Sequence, residues 1–256
     1  MNSIMPNSET VPTQLHQAQL SEAAVSLTIN GLSYAVMMAS PKYLKDFALG
    51  FALSEGLVNA KKEVTNILVH SHENGWQVDV QVLSRVQHRI KERRRIMAGP
   101  SGCGLCGLES IDAALATDLI PLTKPASKCN LPTQAVINKA KEALPYILHE
   151  AGGVRGNHCA SFFDLSAQVI AFREDVGRHS AFDKLLGHLA NAEQDTKQGF
   201  ALITSRCSHD LVIKAIRMSL STLVTLAQPT DLAVSSARRL GLTLFCFQHG
   251  QLKRFA

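Results

Sequence analysis

Apolar and polar positions first form a regular pattern near residue 24, where two strand pairs are predicted. The run VSLTINGLSYAVMM has two apolar segments on either side of Asn30-Gly31, a dipeptide typical of the tight turn between antiparallel strands. The runs NILVHS and WQVDVQVL form a second pair of this kind around Asn74-Gly75. Both pairs therefore predict β-hairpins.

Helices are predicted between the two hairpins and after them. The run KYLKDFALGFALSEG predicts a helix, with Ser40 as its N-cap and Pro41 in its first turn. The basic run RVQHRIKERRR at 85–95 is compatible with a helix, and another is predicted over 108–118. The stretch at 119–132 is rich in proline and lacks a period, so we place a lobe boundary or long linker there.

Strand and helix patterns alternate in the C-terminal half. A helix is predicted over 133–149, and the glycine-rich turn AGGVRGNH leads from it to the strands CASFFDL and QVIAFRE. Helices over 178–190, 208–219 and 230–240 then alternate with the strands FALITS, LVTLA and LTLFCF. This order is typical of an α/β layer in which at least some strands are parallel.

Three parts of the chain follow from these patterns. Residues 1–20 are polar and without a period, which indicates a flexible tail. Residues 21–120 form a smaller N-terminal lobe of strands and helices that ends in a Cys-x-x-Cys loop and the helix after it. Residues 121–256 form the C-terminal α/β lobe.

Composition indicates a folded protein with a mild preference for anions. Of the 256 residues, 46% are hydrophobic and 18% charged, which is enough apolar material for a core, and the net charge is +5. Aromatic residues make up only 5%, and no nucleic-acid-binding motif is recognisable. No apolar run reaches 18 residues and the N-terminus does not resemble a secretory signal, so we expect a cytoplasmic protein with no membrane association. The six cysteines are then expected as thiols or ligands rather than disulfides.

The pair Cys103 and Cys106 is the strongest chemical feature of the sequence. Such a pair serves as half of a zinc site, as a redox couple, or as a reactive nucleophile with a helper. Gly102, Gly104 and Gly107 surround the two sulfurs and allow a bulky partner to approach them closely. The arginines at 93–95 and the start of the following helix would favour a thiolate.

A zinc site is the weaker of these interpretations, and no metal site is predicted. The remaining four cysteines are single and far apart, and the sequence contains no His-x-Glu of the kind that a zinc deaminase needs. A glycine-rich loop with two incidental cysteines is the simplest alternative.

Two junctions between a strand and a helix carry candidate anion ligands. Arg178 and His179 follow one strand, and Arg206 follows the next, before Ser208 as a plausible N-cap. A salt-bridged helix start explains the first junction equally well, and a structural role is the more common one for the single His158. The run FQHGQ at 247–251 is expected to leave the last strand as a polar loop.

Several of these motifs, in the same order, resemble the formate dehydrogenase accessory sulfurtransferases of the FdhD family. The resemblance extends over about residues 24–252. It rests on the following segments: PKYLKDFALGFALSEGL, KERRRIMAGPSGCGLCGLE, FREDVGRHSAFDKLLG, TSRCSHDLVIKA and TDLAVSSARRLGLTLFCF. Cys159 stands where members of the family commonly have alanine.

The resemblance implies a fold and a function. The fold would be a mixed sheet with flanking helices like that of cytidine deaminases. The protein would take persulfide sulfur from a cysteine desulfurase and pass it to the molybdenum cofactor in its bis(molybdopterin guanine dinucleotide) form, which is then inserted into the catalytic subunit of formate dehydrogenase. The resemblance is also compatible with a homodimer.

The resemblance also separates the roles of the site residues. Cys103 would bear the persulfide and Cys106 would assist it. The residues expected to help bind the guanine dinucleotide are Phe247, Gln248, His249, Gly250, Gln251 and Leu252. From the charge pattern, the basic residues around 85–95 and Arg178 or Arg206 would hold its phosphates, and His179 would contact a phosphate or a carbonyl. Two other functions stay open: a cofactor-binding chaperone of formate dehydrogenase without sulfur chemistry, and a thiol-disulfide oxidoreductase.

Overall fold

The computed structural model describes residues 20–96 and 131–256, with side chains from 20–91 and 131–256. Cys103, Cys106, the predicted helix over 108–118 and the predicted division between the lobes at 120 lie outside these residues, as does nearly all of the predicted tail.

A four-stranded sheet forms the first half of the described chain. Its strands are β1 (Ala23–Ile29), β2 (Leu32–Ala39), β3 (Val64–His72) and β4 (Gly75–Val82). They lie in the order β2-β1-β4-β3, with both hairpins antiparallel and β1 parallel to β4. Asn30 and Gly31 have positive φ angles of 46° and 75°, as the predicted turn requires. Both predicted hairpins are confirmed.

Helix α1 (Leu44–Ser54) covers the inner face of this sheet, but it begins later than predicted. The prediction of Ser40 as N-cap and Pro41 in the first turn is wrong, because Tyr43 precedes the helix in a left-handed conformation with φ 55°. Ser40 bonds instead to a distant segment: its N–H donates to the Asp175 carboxylate at 3.0 Å. The basic segment, which the sequence left compatible with a helix, is helical and forms α2 (Ser84–Ile96).

A six-stranded mixed sheet forms the second half. Its strands are β5 (His158–Asp164), β6 (Val169–Asp175), β7 (Gly199–Ile203), β8 (Thr222–Thr225), β9 (Thr243–Gln248) and β10 (Gln251–Arg254). The order is β10-β9-β8-β7-β5-β6, in which β7, β8 and β9 are parallel and the other pairings antiparallel. The partly parallel α/β layer is confirmed, and β10 is an additional strand.

Helices cover both faces of the second sheet. They are α3 (Gln134–Glu150), α4 (Arg178–Asn191), α5 (His209–Arg217) and α6 (Asp231–Leu240), close to their predicted bounds. Helix α3 packs on one face, and α4, α5 and α6 pack on the other. The predicted mixed sheet with flanking helices and an additional N-terminal layer of strands and helices is therefore the observed fold. Within the two described ranges, no helix has the length and apolar character needed to cross a membrane.

Helices α1 and α4 cross at two glycines, and this crossing joins the two halves. A Cβ atom on Gly50 would lie 1.8 Å from the carbonyl oxygen of Asp183, and one on Gly187 would lie 1.8 Å from that of Asp46. Only glycine allows the two backbones to approach so closely. The start of α4 is thus held in place by the N-terminal layer.

Candidate functional site

The predicted ligand-binding residues that the structure describes lie along one edge of the second sheet. The parallel strands β7, β8 and β9 all end at this edge, while the antiparallel β5 begins there and β6 ends there. Helices α4 and α5 begin just beyond it, so their N-termini point their free N–H groups toward the same region. We call this the carboxyl edge.

Arg178 and His179 form the first turn of α4 at the carboxyl edge. The Nε of Arg178 is buried and has no hydrogen-bond partner within the described part of the chain. This N–H group is therefore an unused hydrogen-bond donor. An anionic ligand would accept a hydrogen bond from it. The structure therefore places Arg178 where the sequence suggested, at a strand-to-helix junction.

His179 is neutral at physiological pH. Burial first, and then the positive charges of Arg178 and Lys214, lower the pKa of His179 to about 4. Its Nε2 lies 3.5 Å from the Ser208 hydroxyl and 3.8 Å from the Asp210 carboxylate. His179 thus presents a neutral imidazole between the starts of α4 and α5.

Arg206 and Ser208 lie between β7 and α5 at the same edge. Arg206 is exposed, so its guanidinium is available to an anionic ligand. Ser208 occupies the N-cap position of α5, but no described backbone N–H donates to its hydroxyl. The predicted capping bond is therefore not formed, and the hydroxyl faces His179 instead.

A buried ion cluster lies below these residues. The Lys214 ammonium donates to both carboxylate oxygens of Asp183 at 2.9 and 3.0 Å, to Glu55 at 2.7 Å and to the Ser54 hydroxyl at 2.9 Å. Burial alone would lower the pKa of Lys214, but the two carboxylates outweigh it and raise this pKa. The cluster joins α1, α4 and α5, and sequence reasoning missed it because its members are far apart in the chain.

A second buried pair fixes the turn from β6 into α4. Lys184 and Asp175 are 2.6 Å apart and both side chains are completely buried. The same ammonium donates to the Ser40 carbonyl at 2.8 Å, and Asp175 also accepts from the N–H groups of Ser40 and Gly177. Each polar group is thereby compensated, and the turn that presents Arg178 is tied to the loop before α1.

The segment over 247–252 is a hairpin between β9 and β10, not the predicted polar loop. Gln251 pairs with Gln248 and Leu252 with Phe247, while His249 and Gly250 form the turn with φ angles of 48° and 81°. The Phe247 ring is only 9% exposed, and the Lys141 ammonium of α3 lies 4.3 Å from its centroid. Apolar contacts of Phe247 and Leu252 with the α3 face explain why this segment is ordered.

The hairpin and the arginines share the carboxyl edge but lie at different positions along it. Strands β8, β7 and β5 separate β9 from β6. With neighbouring strands about 4.8 Å apart, β9 and β6 are about 19 Å apart. The contact between His179 and Ser208 brings the starts of α4 and α5 together. Arg206 follows β7, midway between β6 and β9, so the hairpin is a separate contact region from Arg178 and His179 for an extended ligand.

The three cysteines that the structure describes are unsuited to nucleophilic chemistry. Cys159, Cys207 and Cys246 are all buried, at 2%, 0% and 0% exposure. Burial raises the pKa of Cys159 and of Cys207 to about 12 and also raises that of Cys246. Cys159, whose role the sequence left open, is a packing residue whose sulfur lies 3.3 Å from the Ser161 hydroxyl.

No group of three or more His, Cys, Asp or Glu side chains within 20–91 and 131–256 is arranged to hold a metal ion. The absence of a metal site stays a prediction for the whole protein, because the paired cysteines lie outside these residues.

Comparison with known proteins gives consistent matches over nearly the whole chain. The model of the FdhD/NarQ family matches residues 20–255. Proteins named sulfur carrier protein FdhD from Xanthomonas campestris pv. campestris and Bordetella bronchiseptica are each 39% identical over 226 and 228 residues, or 88% of this chain and 79% and 80% of theirs. A crystal structure of a formate dehydrogenase accessory protein from Desulfotalea psychrophila aligns with a TM-score of 0.67 at 20% identity, covering 91% of this chain and 86% of its own. At that identity the last match shows a shared fold.

Proposed function

Because the chain belongs to the FdhD/NarQ family, we propose that it is a sulfurtransferase that serves formate dehydrogenase. In this proposal it accepts persulfide sulfur from a cysteine desulfurase and transfers it to bis(molybdopterin guanine dinucleotide) molybdenum cofactor, which is its substrate. The names of its relatives, sulfur carrier protein FdhD, support the coarser part of this function.

The burial of the described cysteines is the observation that carries the proposal on this chain. A sulfur carrier needs a thiolate that a partner protein can reach. Cys159, Cys207 and Cys246 do not meet that need, since all three are buried and have raised pKa values. Of the three remaining cysteines, Cys103, Cys106 and Cys129, the glycine-flanked pair is the best candidate and Cys129 is single.

The first half of the reaction is a thiol exchange. The Cys103 thiolate attacks the terminal sulfur of the desulfurase persulfide, the sulfur–sulfur bond of that persulfide breaks, and the desulfurase thiol leaves. Cys103 then carries the sulfane sulfur. In the second half, the sulfur–sulfur bond of the Cys103 persulfide breaks and Cys103 leaves as a thiolate, with Cys106 assisting. The terminal sulfur passes to the cofactor substrate at the carboxyl edge, and this substrate supplies the two electrons that reduce the sulfur to sulfide.

The carboxyl edge supports the binding half of the proposal. Arg178 and Arg206 supply positive charge beside the starts of α4 and α5, which suits the phosphates of a dinucleotide. A well-formed charge-assisted hydrogen bond there contributes roughly 1.5–3 kcal/mol. The hairpin over 247–252 lies farther along the edge, where it can contact the guanine.

Complementation in cells separates this function from its alternatives. In cells that lack the protein and contain the cognate formate dehydrogenase, Cys103→Ala should abolish formate dehydrogenase activity. The control Cys159→Ala should preserve it, because Cys159 only packs in the core. Full activity with Cys103→Ala would instead support a cofactor chaperone without sulfur chemistry.

The oxidoreductase alternative makes a different prediction about Cys106. It requires a Cys103–Cys106 disulfide, so Cys103→Ala and Cys106→Ala should then be equally inactive and the purified protein should reduce a disulfide substrate. A sulfurtransferase should show no such reductase activity.

A further inference from the structure

His158 lies beside Arg178 at the carboxyl edge, and nothing in the sequence distinguished it from a structural histidine. It is the first residue of β5 and pairs with Asp175, the last residue of β6. Arg178 begins α4 three residues after Asp175. Residues that are directly opposite on paired strands project from the same face of the sheet, so the half-buried side chain of His158 lies on the face where Asp175 contacts Lys184 of α4. There it is influenced by the positive charge of Arg178 and the negative charge of Asp175.

The free protein disfavours a charged His158. Burial first, and then the positive charge of Arg178, lower the pKa of His158, and Asp175 opposes them. Asp175 already accepts hydrogen bonds from Ser40, Gly177 and Lys184, so its charge is largely compensated. An anion bound to Arg178 would reverse this balance, since it offsets the guanidinium charge and attracts an imidazolium.

His179 is adjacent but is not suited to the same role. It is more deeply buried, and its charged form is opposed by Arg178, Lys214 and His158, while Glu55 and Asp210 favour it. Its Nε2 also lies 3.5 Å from the Ser208 hydroxyl and 3.8 Å from the Asp210 carboxylate. His179 is thus already engaged within the protein, and His158 is the histidine left to respond to a ligand.

We propose that His158 is a further ligand-binding residue, and that it takes up a proton from solvent when the pyrophosphate of a guanine dinucleotide binds beside Arg178. The inference rests on the proposed function, because it requires this ligand at the carboxyl edge. No covalent bond changes: the buffer supplies the proton, and the imidazolium donates a hydrogen bond to a phosphate oxygen.

Titration calorimetry with P1,P2-di(guanosine-5′) diphosphate tests the inference on the full chain. Both phosphates of this probe are diesters that stay ionised near neutral pH, so the probe itself takes up no proton. The binding enthalpy should depend linearly on the ionisation enthalpy of the buffer, with a slope showing net uptake of up to one proton. The affinity should fall as the pH rises, by at most about tenfold per unit, because one proton is linked to binding.

Two variants and one spectroscopic measurement assign the proton. His158→Gln should still bind the probe but without dependence on the buffer, whereas the control His72→Gln, at an exposed position of β3, should retain that dependence. In the unaltered protein, NMR titration of the His158 ring carbons should show a higher pKa with the probe than without it.

The possible failures are distinguishable. Binding with an enthalpy that does not depend on the buffer would overturn the role of His158 and leave the dinucleotide site intact. The absence of any binding would overturn the dinucleotide site itself, and the role of His158 with it.

Discussion

The Lys214 ammonium shows how one residue stabilises the region below the candidate site. It is 5% exposed and contacts Asp183 from α4 and Glu55, the residue that follows α1. Such a cluster adds little net stability compared with apolar packing, but the loss of one member leaves the others as uncompensated buried charges. Its main effect is therefore to fix the relative positions of three helices.

Replacement of Lys214 by an uncharged residue should destabilise the protein. Lys214→Met keeps much of the side-chain volume but leaves Asp183 and Glu55 without their partner, so the free energy of unfolding should fall by about 3–5 kcal/mol. Urea denaturation measures this change, and the exposed Lys253→Met provides the control with a change near zero. A loss for Lys214→Met as small as that of the control would contradict the described cluster.

At the scale of elements, the crossing of α1 and α4 determines where the first turn of α4 lies. The two helices touch through backbone atoms at Gly50 and Gly187. Since Arg178 and His179 belong to the first turn of α4, a shift at the crossing would also move the predicted phosphate ligands.

A methyl group at the crossing should both destabilise the protein and weaken the site. Gly187→Ala should lower the free energy of unfolding by about 3 kcal/mol or more, because the new Cβ would meet the backbone of α1 rather than a flexible side chain. Denaturation measures the loss, and Lys45→Ala on the exposed side of α1 is the control. Unchanged stability of Gly187→Ala would show that the helices are farther apart than described.

Helices and strands that depend on neighbouring residues were predicted correctly. Boundaries that depend on contacts distant in the sequence were not. The hairpin at Asn30-Gly31 is encoded by two adjacent residues that favour positive φ, so the sequence alone was sufficient. The start of α1 was misplaced because Ser40 bonds to Asp175, 135 residues away, rather than to its own helix. The strand β10 was missed because its short, mostly polar sequence becomes a strand only by pairing with β9.

The site was predictable where it follows from topology and not where it follows from packing. Arg178 and Arg206 follow strands and precede helices, which places them at one edge of the sheet. The cluster of Lys214 with Glu55 was not predictable, because these residues are 159 positions apart and a lysine within a helix is usually exposed.

At the scale of the whole molecule, several partly or fully buried histidines make the fold sensitive to acid. Burial is the first cause that lowers the pKa in each of the following: His158, His179, His188 and His209. When the folded-state pKa is lower than the unfolded one, the unfolded chain binds more protons at pH values between them. The contribution of these groups is therefore fully present above about pH 6.5 and is lost as the pH falls toward the folded pKa.

His179 should account for a measurable share of this acid sensitivity. A fall in its pKa from 6.5 to about 4 corresponds to about 3 kcal/mol, lost between pH 6.5 and 4. Above pH 7, the difference in free energy of unfolding between the unaltered protein and His179→Gln should be constant. Toward pH 4, the unaltered protein should lose this amount of stability relative to His179→Gln. A difference independent of pH would contradict the neutral, buried imidazole.

The presence of sulfur on Cys103 is the most direct test of the proposed function. The protein is incubated with a cysteine desulfurase and L-cysteine, alkylated and digested, and its peptides are weighed. The peptide that contains Cys103 should gain the mass of one sulfur atom, which a reductant removes, while the peptide that contains the buried Cys246 should not. No added sulfur on the Cys103 peptide, with an active desulfurase present, would contradict the proposed sulfur transfer.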